Sequence, residues 1–165
     1  MPIETERKFL IERPDLAFLT LQEDCAVLEI TQTYLNQPAG APERRVRRIL
    51  ADGRETFVFT QKEKLTAVSR IENEREITPG EYADFLAEAY SQLSKTRYRF
   101  PFGGHVIEID VYPHEIGGDA LEGLAVLEVE LEAEDEAIRL PDWLHVVREL
   151  TGTREFSNKT LARRI

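Results

Sequence analysis

Apolar and polar residues trade places position by position over much of this chain. The alternation holds over 2–11, 26–36, 43–50, 54–62, 68–77, 95–101, 105–112 and 125–133. A period of two is that of a strand whose faces meet different surroundings, so these stretches predict eight strands. Gly40, Gly53, Gly103-Gly104 and Gly117-Gly118 punctuate them. A helical period is rarer. Over 79–93, Tyr82, Phe85, Leu86, Ala89, Tyr90 and Leu93 form one apolar stripe behind Thr78, Pro79 and Glu81, a T-x-x-E capping box with proline at the first helical position. Trp143, Val146, Val147 and Leu150 predict a second helix over 141–151, ending near Gly152, and 14–21 a short third one. Eight strands with few helices predict a mainly β (α+β) fold in one domain over 1–165. An eight-stranded antiparallel barrel with helices packed outside is favoured over alternating βαβ units.

The polar side of these strands is unusual in being charged, with like beside like. Glu4, Glu6 and Lys8 share a face of the first strand. Arg45 and Arg47 share one in E-R-R-V-R-R-I, Thr60 and Lys62 in V-F-T-Q-K, and Arg70, Glu72, Glu74 and Glu76 in S-R-I-E-N-E-R-E. Lys95 pairs with Arg97, Glu108 with Asp110, and Glu128 with Glu130. A solvated face gains more from mixed neighbours. The alternative is a barrel turned inside out, charged residues lining a lumen and apolar ones packing outward against helices. The lumen set is then Glu4, Glu6, Glu72, Glu74, Glu108, Asp110, Glu128 and Glu130 against Lys8, Arg45, Arg47, Lys62, Arg70, Lys95 and Arg97, nearly balanced although the chain has a net charge of −10. Ions buried in such numbers must meet one another, a metal or a charged ligand.

Charge and composition remove several alternatives. An excess of acid argues against a nucleic-acid partner held by bulk charge. No apolar run approaches the roughly 18 residues of a membrane helix, and charge begins at Glu4, which argues against a secretory signal. A cytoplasmic protein with no membrane partner is expected. A single cysteine, Cys25, rules out an internal disulfide and a thiolate zinc cluster. His105, His114 and His145 belong to no H-E-x-x-H motif, Ser69 and Ser157 to no G-x-S-x-G elbow, and no glycine-rich phosphate loop precedes a helix.

A ligand that needs both signs is a metal-bound polyphosphate. Arginine and lysine hold phosphate oxygens by charge and bidentate hydrogen bonds, while clustered carboxylates suit Mg²⁺ or Mn²⁺.

E-T-E-R-K at 4–8 matches the ExExK signature of the CYTH superfamily, the triphosphate tunnel metalloenzymes. R-V-R (45–47), T-Q-K (60–62), R-I-E-N-E (70–74), K-T-R-Y (95–98), E-I-D-V-Y (108–112), E-V-E (128–130) and F-S-N-K-T-L-A (156–162) resemble the family in its order across nearly the whole chain. The resemblance implies an eight-stranded tunnel acting on a triphosphate with a divalent metal. It implies that Glu4, Glu6, Asp110, Glu128 and Glu130 hold Mg²⁺ or Mn²⁺, with Glu4, Glu6 and Asp110 as catalytic candidates. Lys8, Arg45, Arg47, Lys62, Lys95 and Arg97 would hold phosphates, with Lys159 as a late basic residue, and Arg70, Glu72, Glu74 and Glu108 would support them. Inorganic triphosphate is the expected substrate, since a single compact domain offers no evident base-recognition element. A class IV adenylate cyclase, a thiamine or nucleoside triphosphatase and a polyphosphate-binding module are the alternatives, and the helix faces leave room for a homodimer.

Overall fold

The computed structural model describes residues 3–165, so Pro2, the expected start of the first strand, lies outside the described residues. The eight expected strands are present as β1 (Ile3–Glu12), β2 (Ala26–Leu35), β3 (Glu43–Ala51), β4 (Arg54–Lys64), β5 (Ser69–Ile77), β6 (Ala89–Phe102), β7 (His105–Val111) and β8 (Leu124–Leu131). They run around a barrel in the order β6-β2-β3-β4-β5-β1-β8-β7, every pair antiparallel, and β7 returns to β6 to close it. Closure satisfies the backbone donors and acceptors that open edges would expose.

Register puts the charged positions on one side. Glu4 lies opposite Arg70, Glu6 opposite Glu130 and Lys8 opposite Glu128. Arg45 lies opposite both Tyr34 and Thr60, Lys62 opposite Glu72, and Arg97 opposite Asp110. Arg97 of β6 reaches Glu128 of β8 at 3.7 Å with β7 between them, so these side chains meet on the concave side. A slip of one residue in any ladder would turn its charges outward.

The alternate residues face out and are covered. Phe9, Ile11, Phe100, Ile107, Ile109, Leu127 and Val129 form one outer cluster with Leu19 of the short helix α1 (Leu16–Thr20) and Leu144. Val46, Phe57 and Ile77 form another under Tyr82 of α2 (Pro79–Phe85), where the Phe57 and Tyr82 rings lie 4.6 Å apart. Leu10 and Val126, on the lumen side beyond Lys8 and Glu128, join Leu121 and Leu150 in a third cluster that plugs this part of the barrel.

Two expected helices are corrected. The capping box forms as read, with Glu81 N donating to Thr78 Oγ1 and Thr78 N to Glu81 Oε1, both at 3.1 Å. But α2 stops at Phe85, a 3-10 turn covers Leu86–Glu88, and β6 begins at Ala89. Residues 89–93 are claimed by the β2 ladder, in which Gln32 pairs with Leu93 and Tyr34 with Ser91. The helix expected over 141–151 is absent. A turn leads into a short strand, β9 (Val146–Glu149), which pairs with β1. β5 pairs with β1 only over Ile3–Thr5, so the backbone of Phe9–Ile11 on that side needs partners, and β9 supplies them. Leu150 N extends the contact by donating to Lys8 O at 2.7 Å. Val146 and Val147 are half exposed rather than on a core stripe, whereas Trp143 packs edge-on to Phe18 at 5.0 Å. Arg163 and Arg164 form a two-residue strand, β10, on β6. Among the described residues no helix is long and apolar enough to cross a membrane.

Leu150 is fully buried in the plug. Leu150→Ala is expected to cost about 3 kcal/mol in urea unfolding, a lost side chain plus the cavity it leaves. A loss below about 1 kcal/mol would mean that the segment after β9 adds little to the barrel.

Candidate active site

A cavity of about 670 Å³ opens at one mouth of the barrel. Its wall takes Glu6 and Lys8 from β1, Tyr34 from β2, Arg45 from β3, Lys62 from β4 and Arg70 from β5. Its rim is the β2–β3 loop, the β4–β5 turn and the chain from Leu150 to Thr160. That last segment is tied down. Lys8 N donates to Thr151 Oγ1 at 2.9 Å, and Tyr112 OH donates to Asn158 Oδ1 at 2.5 Å at the start of α4 (Asn158–Leu161). Lys159 reaches Glu43 at 3.7 Å and Gln37 Oε1 at 3.4 Å across the mouth.

The charged side chains sort into two groups by how closely they are paired. On β6, β7 and β8 the pairs are tight. Arg97 Nε and Nη2 donate to the two oxygens of Asp110 at 2.8 and 3.0 Å, and Nη1 donates to Glu108 at 3.0 Å. Lys95 Nζ donates to Asp110 Oδ2 at 2.8 Å, both side chains being 1 % exposed. Burial, reinforced by Arg97, lowers the Lys95 amine to about 8 against the pull of Asp110 and Glu128. None of Lys95, Arg97 and Asp110 lines the cavity.

Apart from Arg70, which is bonded to Glu6, three of the cavity-facing bases are held more loosely. Lys8 stands 3.5 Å from Glu128, Lys62 3.9 Å from Glu72, and Arg45 4.0 Å from Glu72. Burial, then Arg45 and Arg70, lower Lys62 to about 8, with Glu72 and Glu4 opposing. The Nε groups of Arg45 and Arg47 are buried without a hydrogen-bond partner, as is Gln32 Oε1. A buried guanidinium N–H left unpaired is costly, and an anion brought to this wall would satisfy it. Arg47 otherwise pairs with Glu74 at 3.1 Å; burial and Arg45 lower it to about 10.

The carboxylates crowd beside these bases. Burial, a hydrogen bond with Glu72 and the charges of Glu6 and Glu72 push Glu4 up to about 10, with Lys62 opposing. Burial resists ionisation of Glu72 too, but the bond from Glu4 and the charges of Lys62, Arg45 and Arg47 pull it down to about 2. Glu6 takes Arg70 Nη2 at 2.5 Å. Among the described residues no three acidic, histidine or cysteine side chains converge as metal ligands, because the acids lean on lumen bases instead. The donor set nevertheless fits a hard divalent cation. It is oxygen only, and burial together with Glu72 and Glu6 disfavours the ionised form of Glu4, which a cation would favour.

Of the residues expected from the sequence, the structure brings Glu4, Glu6, Glu72, Lys8, Lys62, Arg45 and Arg70 together, with Glu128 and Glu130 opposite Lys8 and Glu6. Lys159 stands on the rim. Asp110, Lys95 and Arg97 sit apart in the closed network with Glu108, and Glu74 turns toward Arg47 and Thr60. Sequence reasoning missed Tyr34, Gln32, Thr151 and Arg154. Tyr34 OH accepts from Gln32 Nε2 at 2.7 Å, and burial above all raises its pKa to about 12, so it remains a neutral hydroxyl on the wall. Gln32 and Tyr34 do share a strand face with period two, but carry no charge to mark them. None of the three histidines lines the cavity.

The structure is thus a closed antiparallel barrel with bases facing a lumen cavity beside crowded carboxylates. The CYTH domain matches residues 2–164, and the chain belongs to that family. An inorganic triphosphatase of Acetivibrio thermocellus is 35 % identical over 107 residues, a match that spans 64 % of each chain, a little under two thirds. The solved structure of the hypothetical protein NE1496 is 26 % identical, with a TM-score of 0.57 over 96 % of this chain and 97 % of that one. The PH1819 protein of Pyrococcus horikoshii OT3 shares the fold at 20 % identity, with a TM-score of 0.56 over 81 % and 80 % of the two chains.

Replacing one partner of a buried ion pair leaves the others uncompensated. Asp110→Asn is therefore expected to destabilise the barrel by about 3 kcal/mol in chemical denaturation, whereas Glu130→Gln, on an exposed side chain, should stay within about 0.5 kcal/mol. Equal effects would contradict the division into a closed network and an open wall.

Proposed function

We propose that the protein hydrolyses inorganic triphosphate to diphosphate and phosphate with Mg²⁺ or Mn²⁺. The observation that carries this reading is the set of loosely paired bases, Lys8, Arg45 and Lys62, around one cavity beside Glu4, Glu6 and Glu72. The triphosphatase named among the relatives supports it.

In this reading the bases take the phosphate oxygens. Arg45 offers its unpaired Nε donor, Lys8 and Lys62 approach from the neighbouring walls, and Lys159 meets the end of the chain at the rim; Arg47, outside the cavity lining, backs this wall with its charge. They spread the charge that gathers on the transferred phosphoryl group, where positioning and electrostatics supply most of the catalysis. Glu4, Glu6, Glu128 and Glu130 are the residues to hold a divalent cation, which would neutralise the substrate and lower the pKa of an attacking water. Both oxygens of Asp110 are already taken by Lys95 and Arg97. Asp110 is therefore assigned to positioning, and the in-line water to Glu4 and Glu6. The buried network fixes Glu128 through Arg97 and so sets where the metal-side wall stands.

Phosphate release is the direct test. Inorganic triphosphate with Mg²⁺ or Mn²⁺ should turn over, EDTA should stop it, and diphosphate should be a poor substrate. Absence of metal-dependent release would remove the hydrolase reading. Conversion of ATP to cyclic AMP would replace it with a cyclase. Glu6→Gln combined with Glu128→Gln should lower kcat by about 10³ or more while the folded barrel persists by circular dichroism. Activity near that of the parent protein would refute the carboxylate assignment.

A further inference from the structure

The segment that rims the tunnel mouth after Leu150 has most of its neutral polar side chains committed. Thr151 Oγ1 accepts from Lys8 N at 2.9 Å and donates to Glu149 Oε2 at 2.7 Å. Thr153 Oγ1 donates to Leu150 O and Thr160 Oγ1 to Arg154 O, both at 2.9 Å, and Ser157 Oγ accepts from Thr160 N at 3.2 Å. Asn158 is only half committed. It lines the cavity, and its Oδ1 accepts from Tyr112 OH at 2.5 Å. Among the described residues, its Nδ2 donates to nothing. The amide is also fixed in place. Tyr112, just after β7, packs against Leu10, Leu121, Val126 and Leu150, and Phe156 and Leu161, on either side of Asn158, pack against the same cluster. Phe156 sits there with φ +54°, a left-handed conformation that an aromatic residue keeps only where its surroundings over-determine it. With the carbonyl side of the Asn158 amide turned to the phenol, its two N–H groups are left for the cavity.

We propose that Asn158 is a further substrate-binding residue of the tunnel, its Nδ2 donating to an oxygen of the phosphate nearest the mouth, and that the Tyr112 hydroxyl is the positioning group that turns the amide that way. Phosphate oxygens are strong acceptors, and a neutral amide bonds to them without adding to the charge of a mouth already lined by Lys159 and Arg154. Tyr112 itself touches no substrate. It acts through Asn158, and ties the end of β7 to the rim in doing so. The inference rests on the triphosphate reading of the tunnel and adds to it a residue that binds by hydrogen bond alone.

The test reads the affinity of an imido analogue of inorganic triphosphate by calorimetry with Mg²⁺. Asn158→Ala should weaken it by about tenfold, the loss of one hydrogen bond to a charged group. Asn158→Asp still accepts from Tyr112 but presents an oxygen where the N–H groups stood, and should weaken it by about a hundredfold. Tyr112→Phe should weaken it by about threefold in the parent protein and leave it unchanged in the Asn158→Ala background, since its effect passes through the amide. With inorganic triphosphate itself, KM should rise in step with these losses while kcat holds within about threefold. Affinities of the Asn158 variants within about twofold of the parent would overturn the proposal. A Tyr112→Phe loss that persists in the Asn158→Ala background would overturn the positioning role and leave the phenol a support of the fold. Because affinity is read without turnover, these outcomes are separate from the hydrolase reading, which falls on phosphate release alone.

Discussion

Ionised side chains inside a barrel survive only in company. An unpaired charge moved from water to such an interior costs several kcal/mol, and removing one partner strands the other. The lumen here answers this constraint twice. On β6, β7 and β8, Arg97 contacts Asp110, Glu108 and Glu128, and Lys95 completes the set, so that part of the wall is closed electrostatically. At Lys8, Arg45 and Lys62, on β1, β3 and β4, the separations stretch to 3.5–4.0 Å, and the Nε donors of Arg45 and Arg47 stand without partners. The first arrangement is finished within the protein. The second leaves donors that the protein itself does not satisfy.

This inverted barrel also determines how the outside is built. With charge inside, the apolar residues of each strand must be covered from without, and α1, α2 and the chain around Trp143 and Leu144 do so. The same need explains the segment after β8. It crosses the outer surface, pairs with β1 through β9, plugs the barrel with Leu150 and only then reaches the mouth with Lys159. Covering the core and completing the site are one continuous path of chain.

Most of the barrel was legible because every strand has two unlike faces, and a period of two survives in each. The helices over 79–93 and 141–151 were misread for a common reason. Ala89, Leu93, Val146 and Leu150 fall at helical spacing, yet pairing with β2 and with β1 claims their backbones. Local periodicity does not reveal an unpaired edge elsewhere in the chain. The lumen charges were legible as a set, but not their division. Arg45-Arg47 and Lys95-Arg97 look equivalent as doublets. They differ in what faces them, Asp110 of β7 opposite Arg97 in one case and Tyr34, Gln32 and Thr60 in the other. Register decided this, and register is a property of the folded ladder.

The same comparison separates binding from support. A base that already makes three charge-assisted bonds at 2.8–3.0 Å, as Arg97 does, gains less from a phosphate that must compete with those bonds. Arg45 sits at 4.0 Å from its nearest carboxylate with Nε unpaired, and gains charge-assisted bonds at little loss. Carboxylates follow the converse rule. Both oxygens of Asp110 accept from Lys95 and Arg97, whereas Glu4 is crowded by Glu72 and Glu6, and burial and those neighbours disfavour its ionised form. The most useful groups in the tunnel are those the protein alone leaves least satisfied, and the tightly paired network beside them is what keeps them so.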